Sequence, residues 1–210
     1  GWRSVKYWKG RRDNGGRGRT WWQSRLMVGR RVLNGLGGII FGFYFLWGFN
    51  YLRQPIADQL NLTLTAPDLI DLCESTERIA REAAQLRRAI PGLSDADTLA
   101  GQYLPDNQNQ LIQDAYQRAA QVTRLPDLNR HVTARLIRPG GWMLRLNIAG
   151  IYNPFVGEGH VSTALFPTQI PFTMAHEMAH GMGYGDEGTC NFLGALACYL
   201  AEDPVIRYSG

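Results

Sequence analysis

Between Val32 and Phe49 the chain reads VLNGLGGIIFGFYFLWGF, a run with no charge and a single amide, Asn34. A stretch like this must leave water, into protein or into a bilayer. As a helix, its roughly 18 residues extend about 27 Å, enough to cross a hydrocarbon core. Arg25, Arg30 and Arg31 precede it, Tyr51 and Arg53 follow it, and Trp47 sits near its far end. A basic cluster on one side points that side to the cytoplasm, and aromatic residues favour the interfaces. Gly35, Gly37, Gly38, Gly42 and Gly48 weaken a helix in water but are common in membrane helices. They also offer a small-residue face to other membrane helices. A signal peptide is disfavoured, because the basic region is long and no small-residue cleavage site follows the apolar run. The expected organisation is a basic cytoplasmic juxtamembrane arm over 1–31, a transmembrane helix over 32–50, and a domain outside the cytoplasm over 51–210.

The net charge of +4 is unevenly placed. Residues 1–31 hold ten Lys or Arg and one acid (+9), whereas residues 32–210 hold twelve Arg against seventeen acids (−5). The arm also interleaves glycines with Trp2, Tyr7, Trp8, Trp21 and Trp22, a composition that can bind single-stranded nucleic acid. Beside an apolar run, the same residues fit an interfacial belt. Membrane anchoring is the preferred reading, ahead of a buried apolar hairpin, with nucleic-acid binding the weakest of the three. An apolar fraction of 45% with 19% charged residues excludes a disordered chain. Three cysteines exclude a disulfide-dense scaffold. Cys190 and Cys198, eight apart on one helix, would be about 12 Å apart and beyond disulfide reach. The chain is expected to be a piece of a longer protein, cut short at its C-terminus.

Thr65-Ala66-Pro67-Asp68 predicts a helix start with Thr65 as N-cap. Leu69, Leu72, Ile79, Ala83, Leu86 and Ile90 then form one apolar stripe, read as core, which Pro91-Gly92 ends. A second helix is expected from Asn107 to Thr123, burying Leu111, Ala115, Ala119 and Val122. Past Pro126 the period changes to two. Val132, Ala134 and Leu136, then Trp142, Leu144, Leu146 and Ile148, flank Pro139-Gly140-Gly141 and predict a hairpin. Gly150 to Ser162 reads as irregular strand or loop.

The chemistry centres on His176-Glu177-Met178-Ala179-His180, an H-E-x-x-H motif. Two histidines four apart lie on one helical face, so both imidazoles can reach one cation, and zinc suits two nitrogens plus a carboxylate. Glu177 is placed to take a proton from metal-activated water and pass it to a leaving amine. With four His and seven Glu in the chain, chance predicts only about 0.002 occurrences, so coincidence is a weak rival. Thr173, Ala175, Met178, Ala179, Gly181 and Met182 around it are uncharged, as a buried helix requires.

Two acids compete as third ligand. Gly183 can end the helix in a left-handed turn, after which Asp186 would follow directly, or Glu187 would reach back from the first turn of the next helix. The apolar residues Phe192, Leu193, Leu196 and Leu200 make that next helix a packing partner and favour Glu187. The other acid then holds a ligand or caps the helix. Tyr152, His160 and Tyr184 are secondary candidates for donating to an oxyanion. Tyr152 to Phe155 could form a strand against which an extended peptide pairs. Cys190 reads as a small buried apolar group, and His131 is given no role.

The phrases GIYNPFVGEGHV (150–161), PFTMAHEMAHG (171–181) and DEGTCNF (186–192), with WGFNYLR at 47–53, resemble an uncharacterised family. Its members are bacterial, membrane-anchored, zincin-like proteins catalogued as a domain of unknown function. The resemblance runs from about residue 40 onward and implies a metallopeptidase-type fold with additional N-terminal membrane helices, on the bacterial inner membrane. The family's E-A-N-F phrase, with a further acid, stands here as Thr189-Cys190-Asn191-Phe192, which shifts weight to Glu187. The expectation is an α+β, zincin-like metallopeptidase domain, with an H-E-x-x-H helix, neighbouring helices and a small sheet, preceded by a transmembrane helix. His176, His180 and Glu187 would hold Zn2+, and Glu177 would be the general base in hydrolysing a peptide or protein substrate. The rival from another class is a non-catalytic membrane scaffold or binding subunit with a structural, four-ligand zinc site.

Overall fold

The computed structural model describes residues 21–94 and 97–210. The first twenty residues of the basic arm lie outside them. The chain divides into two compact units, 1–41 and 42–210.

The described part of the first unit is entirely helical. It belongs to α1 (Trp21–Leu46), which is long and apolar enough to cross a membrane. The helix begins ahead of the uncharged run, taking in Arg25, Arg30 and Arg31, and ends at Leu46, before Phe49. No proline interrupts the chain from Trp21 to Leu46, so the helix can continue through the arginines. Trp47, expected near the far membrane interface, belongs to the second unit and is only 8% exposed. That unit starts at Gly42.

The second unit is mixed. After a short 3-10 turn, Gly48–Leu52, come α2 (Ile56–Gln59), α3 (Leu69–Ala89) and α4 (Gln108–Thr123). Strand β1 (Thr133–Ile137), helix α5 (Gly141–Arg145) and strands β2 (Gly150–Asn153) and β3 (Glu158–Ser162) follow. The chain finishes with α6 (Ile170–Gly181), α7 (Glu187–Tyr199) and α8 (Pro204–Ser209).

Several local expectations need correction. Asp68, not Thr65, caps α3, because its carboxylate accepts the Asp71 N–H at 2.9 Å. The α3 stripe is not core over its first half: Leu69, Ile70, Leu72 and Ile79 are exposed, and only Ala83, Leu86 and Ile90 turn inward. Helix α4 buries Ile112, Ala115, Tyr116, Ala119 and Ala120, while Val122 is exposed. The predicted hairpin partner of β1 is helix α5, whose buried residue is Met143 rather than the alternating Trp142, Leu144 and Leu146. Gly140 passes so close to Ser162–Ala164 that a Cβ there would meet the Thr163 nitrogen at 2.6 Å. That approach ties the turn to the end of β3, which becomes the parallel partner of β1, while β2 pairs with β3 in the true antiparallel hairpin.

The sheet order is β1-β3-β2. Side-chain amides of α4 cover the outer edge of β1. Asn109 exchanges two hydrogen bonds with Ala134 (2.9 and 2.8 Å), and Gln113 accepts from the Val132 N–H and donates to the Arg130 carbonyl. These amides satisfy backbone groups that an uncovered edge would leave open. Among the described residues, strand β2 pairs with β3 alone. Helix α6 runs between the sheet and α7 through the main core, and Ala175, Met178 and Ala179 are fully buried.

Candidate metal centre

Helix α6 has Pro171 in its first turn and no charged residue except Glu177 and the histidines, so it can be buried on almost every side. The Tyr116 hydroxyl of α4 donates to the Ala175 carbonyl at 2.7 Å, and the Phe172 N–H donates to Ser209 Oγ at 2.9 Å. Gly194 lets α7 press against the start of the motif, since a Cβ there would lie 3.2 Å from the His176 nitrogen. Gly183 ends the α6 turn at φ +96°, in the left-handed region foreseen for it.

His176 and His180 project together, with ring centroids 4.9 Å apart and side chains 13% and 11% exposed. Each presents Nε2 to the cleft because its Nδ1 is engaged: His176 with Asn191 Oδ1 at 2.9 Å, His180 with the Tyr184 carbonyl at 2.8 Å. Such bonds fix the ring orientation and leave Nε2 as the ligating atom. Burial and the neighbouring His180 lower the His176 pKa, which favours the neutral ring that binds metals.

The two acids divide as α7 begins. Asp186 caps the helix, accepting the Thr189 N–H at 3.0 Å. Glu187, the first residue of α7, turns back to the histidines: its carboxylate oxygens lie 3.1 Å from His176 Nε2 and 3.5 Å from His180 Nε2. All three donor groups fall within 4.8 Å of one another. Tetrahedral zinc with bonds of about 2.0–2.1 Å spaces its ligand atoms by roughly 3.3 Å, so this donor set fits zinc in kind and in spacing.

Glu177 lies on the sheet side of α6 and is only 4% exposed. It rests on bare backbone: a Cβ at Gly150 of β2 would meet its Oε1 at 2.6 Å, and one at Gly159 of β3 its Cβ at 2.7 Å. Its Oε2 is buried without a hydrogen-bond partner among the described residues. Burial, then the charge of Glu187, raise its pKa from 4.5 to about 8. A buried, proton-holding carboxyl with a spare oxygen beside a three-donor cluster is equipped to shuttle protons.

The cleft over these residues measures about 510 Å³. Phe43, Trp47 and Tyr51 from the chain after Phe41 form one wall, and Gly150 to Tyr152 of β2 form another. Tyr152 faces the motif helix and its ring lies 4.9 Å from Trp47, which also packs edge-on to His180 at 6.0 Å. His160 does not share this position. It alternates with Gly159 on β3 and so lies on the far sheet face. The Tyr184 hydroxyl is likewise occupied, accepting from Arg53 at 3.2 Å beneath that guanidinium, and only its carbonyl reaches the site. Cys190 is fully buried and touches His180 Nδ1 and the Tyr184 carbonyl at 3.3 Å, and burial pushes its thiol pKa up. Its position is that of a packed apolar group.

Four participants were missed by sequence reasoning: Trp47, Arg53, Asp127 and Asn191. Arg53 pairs with Asp127 and donates to the Gly183 carbonyl at 3.4 Å, clamping the turn that offers the Tyr184 carbonyl to His180. Asn191 carried a usable signal, because it stands four residues after Glu187 on one face of α7. Trp47 and Arg53 carried none beyond their place in the WGFNYLR phrase.

Fold and site together define a class: a mixed helical and three-stranded domain in which one buried helix carries two histidines and an acid toward a carboxylate on the next helix. The chain belongs to the family described as protein of unknown function (DUF3810), whose model matches residues 4–210. No curated protein and no solved structure matches it.

Proposed function

We propose that this chain is a zincin-like, membrane-anchored zinc metallopeptidase of the gluzincin type, hydrolysing peptide bonds outside the cytoplasm. The observation that carries the reading is the convergence of His176 Nε2, His180 Nε2 and the Glu187 carboxylate, with Glu177 Oε2 buried and unpartnered beside them. Among the described residues three side chains meet there, the number expected of a catalytic site rather than of a closed structural one. When bound, zinc supplies a Lewis acid that polarises a carbonyl and acidifies water.

The protein residues do the rest. His176 and His180 hold the metal through Nε2, kept in register by Asn191 and the Tyr184 carbonyl. Glu187 completes the set, with its side chain 76% exposed at the cleft. Glu177 takes the proton from the attacking water and returns it to the leaving nitrogen, a role suited to a carboxyl whose affinity for protons is raised by burial. Tyr152 stands in the cleft wall, where a phenol can donate to the developing oxyanion. An extended peptide can pair along β2, because α4 already occupies the opposite edge of the sheet. The basic flank of α1 supports an inner-membrane orientation with residues 1–31 cytoplasmic.

Elemental analysis of the detergent-purified protein beside His176→Ala tests the reading. About one zinc per chain, lost in the variant, is expected. A folded protein that binds no zinc would sink the proposal. A peptide-library screen with Glu177→Gln as the inactive control then separates a peptidase from a scaffold that merely holds zinc.

A further inference from the structure

The turn joining β2 to β3 reads Asn153-Pro154-Phe155-Val156-Gly157, a polar-poor loop without charge. Phe155 and Val156 are 53% and 59% exposed, and Ile151 on the strand leading in is 51% exposed. A protein in water has reason to keep such residues off a hairpin tip. The tip is placed against something specific. The Phe155 ring is the nearest neighbour of Gly42, where an added Cβ would meet its Cε1 at 3.2 Å.

Gly42 belongs to the uncharged run, four residues before α1 ends at Leu46 and so about 6 Å short of that end along the axis. The residues around it, Phe45, Leu46 and Phe49, are exposed and apolar as well. The first charge after the run is Arg53, which is held in the domain by Asp127. The tip of the hairpin therefore lies against residue 42 in the last turn or so of α1, and its apolar side chains add to the exposed apolar surface of Phe45, Leu46 and Phe49.

We infer that the β2–β3 turn is seated in the bilayer beside the end of α1, its occupant being lipid, with Phe155 and Val156 among the acyl chains. The inference rests on reading α1 as a membrane span. Its consequence is geometric: Trp47 directly follows α1 and lies 6.0 Å from the His180 ring, so the turn and residues 42–46 at the end of α1 together hold the mouth of the cleft at the membrane surface. Aromatic and aliphatic tips of this kind bind membranes in proportion to the apolar area they bury.

The test uses the full chain with Cys73→Ser, which removes the exposed cysteine and leaves the buried Cys190 and Cys198. Val156→Cys carries an environment-sensitive fluorophore, and the protein is reconstituted sparsely in phosphatidylethanolamine and phosphatidylglycerol vesicles, with or without acyl-chain spin labels. Leu36→Cys reports the span and Gln121→Cys, exposed on α4, reports water. Blue-shifted emission at Val156, lost to the spin-labelled acyl chains as at Leu36, is the expected result. Water-like emission at Val156 with Leu36 quenched overturns the inference and spares the membrane reading. Failure of quenching at both positions overturns both. Blue-shifted emission that spin-labelled lipid does not quench means that protein covers the turn, which also overturns it. If labelled Val156→Cys does not melt like wild type, the label moves to Pro154→Cys.

Discussion

Helices α6 and α3 both read as apolar from the sequence, yet they end in opposite environments. Nine residues of α6 are buried, and none of α3 is. The cause is what surrounds the stripe. In α6 the only polar residues besides Thr173 are His176, Glu177 and His180 of the motif, the rest being apolar, Ala or Gly, so little of its circumference resists burial, and the sheet and α7 close on two sides. In α3 the intervening residues are Glu74, Glu77, Arg78, Arg81, Glu82, Arg87 and Arg88, which hold most of the circumference in water. A period of 3.6 tells which side can be covered; the composition of the other sides tells whether the helix can be enclosed. Enclosure is what gives α6 its chemistry, since a carboxyl on α3 stays solvated while Glu177 is stripped of water.

The largest effect is expected from Glu177→Gln. If Glu177 moves the proton, peptide hydrolysis falls by about 10²–10⁴-fold while zinc binding persists, as measured by turnover and metal content of the same sample. The same variant has an opposite effect on stability. In metal-free protein the unfolded chain releases this proton near pH 4.5 and the folded chain near pH 8, so between those values the folded state binds the extra proton. Wild-type stability therefore falls as pH rises through that window and stays lower above it. Glu177→Gln lacks the ionisation, so its melting temperature relative to wild type should climb from about pH 4.5 to about pH 8. A flat difference across that range would mean Glu177 is not desolvated.

Next comes Met178→Ala, which removes a fully buried side chain between the two histidines of α6. Deleting a core methionine side chain costs about 2–5 kcal/mol, readable as a shift of the denaturant midpoint at unchanged slope. Asn191→Leu should be milder for the fold and specific for the site. It removes the acceptor at His176 Nδ1, and loss of such an orienting partner weakens metal affinity about 10–100-fold. A competition titration with a zinc chelator measures this, and unchanged affinity would mean the His176 ring is fixed by packing alone.

Much of this contrast was legible in the residues themselves. The four-residue spacing of His176 and His180 put both rings on one face, Gly183 marked the turn, and the apolar run after Gly188 foretold a helix with Glu187 at its start. These are local relations, set by helix geometry and left-handed backbone. A small sheet and its first strand were legible, but the pairing was not, because the β1–β3 ladder is parallel and joins residues 25 positions apart, Thr133 with Glu158, past an intervening helix that mimicked a strand period. Nor was the site's outer support. Trp47 looked like an interface residue because its neighbours in sequence are apolar, and only the folded chain brings it to Tyr152 and His180. Arg53 looked like a flank of the span, and its role depends on Asp127 and the turn after α6, far away in sequence.

The smallest effect sharpens the opening contrast most. Ile79 has the size and place in the α3 stripe that a core residue would have, but it is 62% exposed. Ile79→Ala also replaces a β-branched residue by the best helix former, a gain of a few tenths of a kcal/mol that offsets what little burial is lost. The net change in unfolding free energy should lie within about 0.5 kcal/mol, an order of magnitude below the largest cost expected for Met178→Ala. A denaturant titration of the two variants side by side reads the ratio directly. A loss of about 2 kcal/mol or more at Ile79 would mean that its stripe is covered in solution, and the difference between the two helices would then be one of partner rather than of composition.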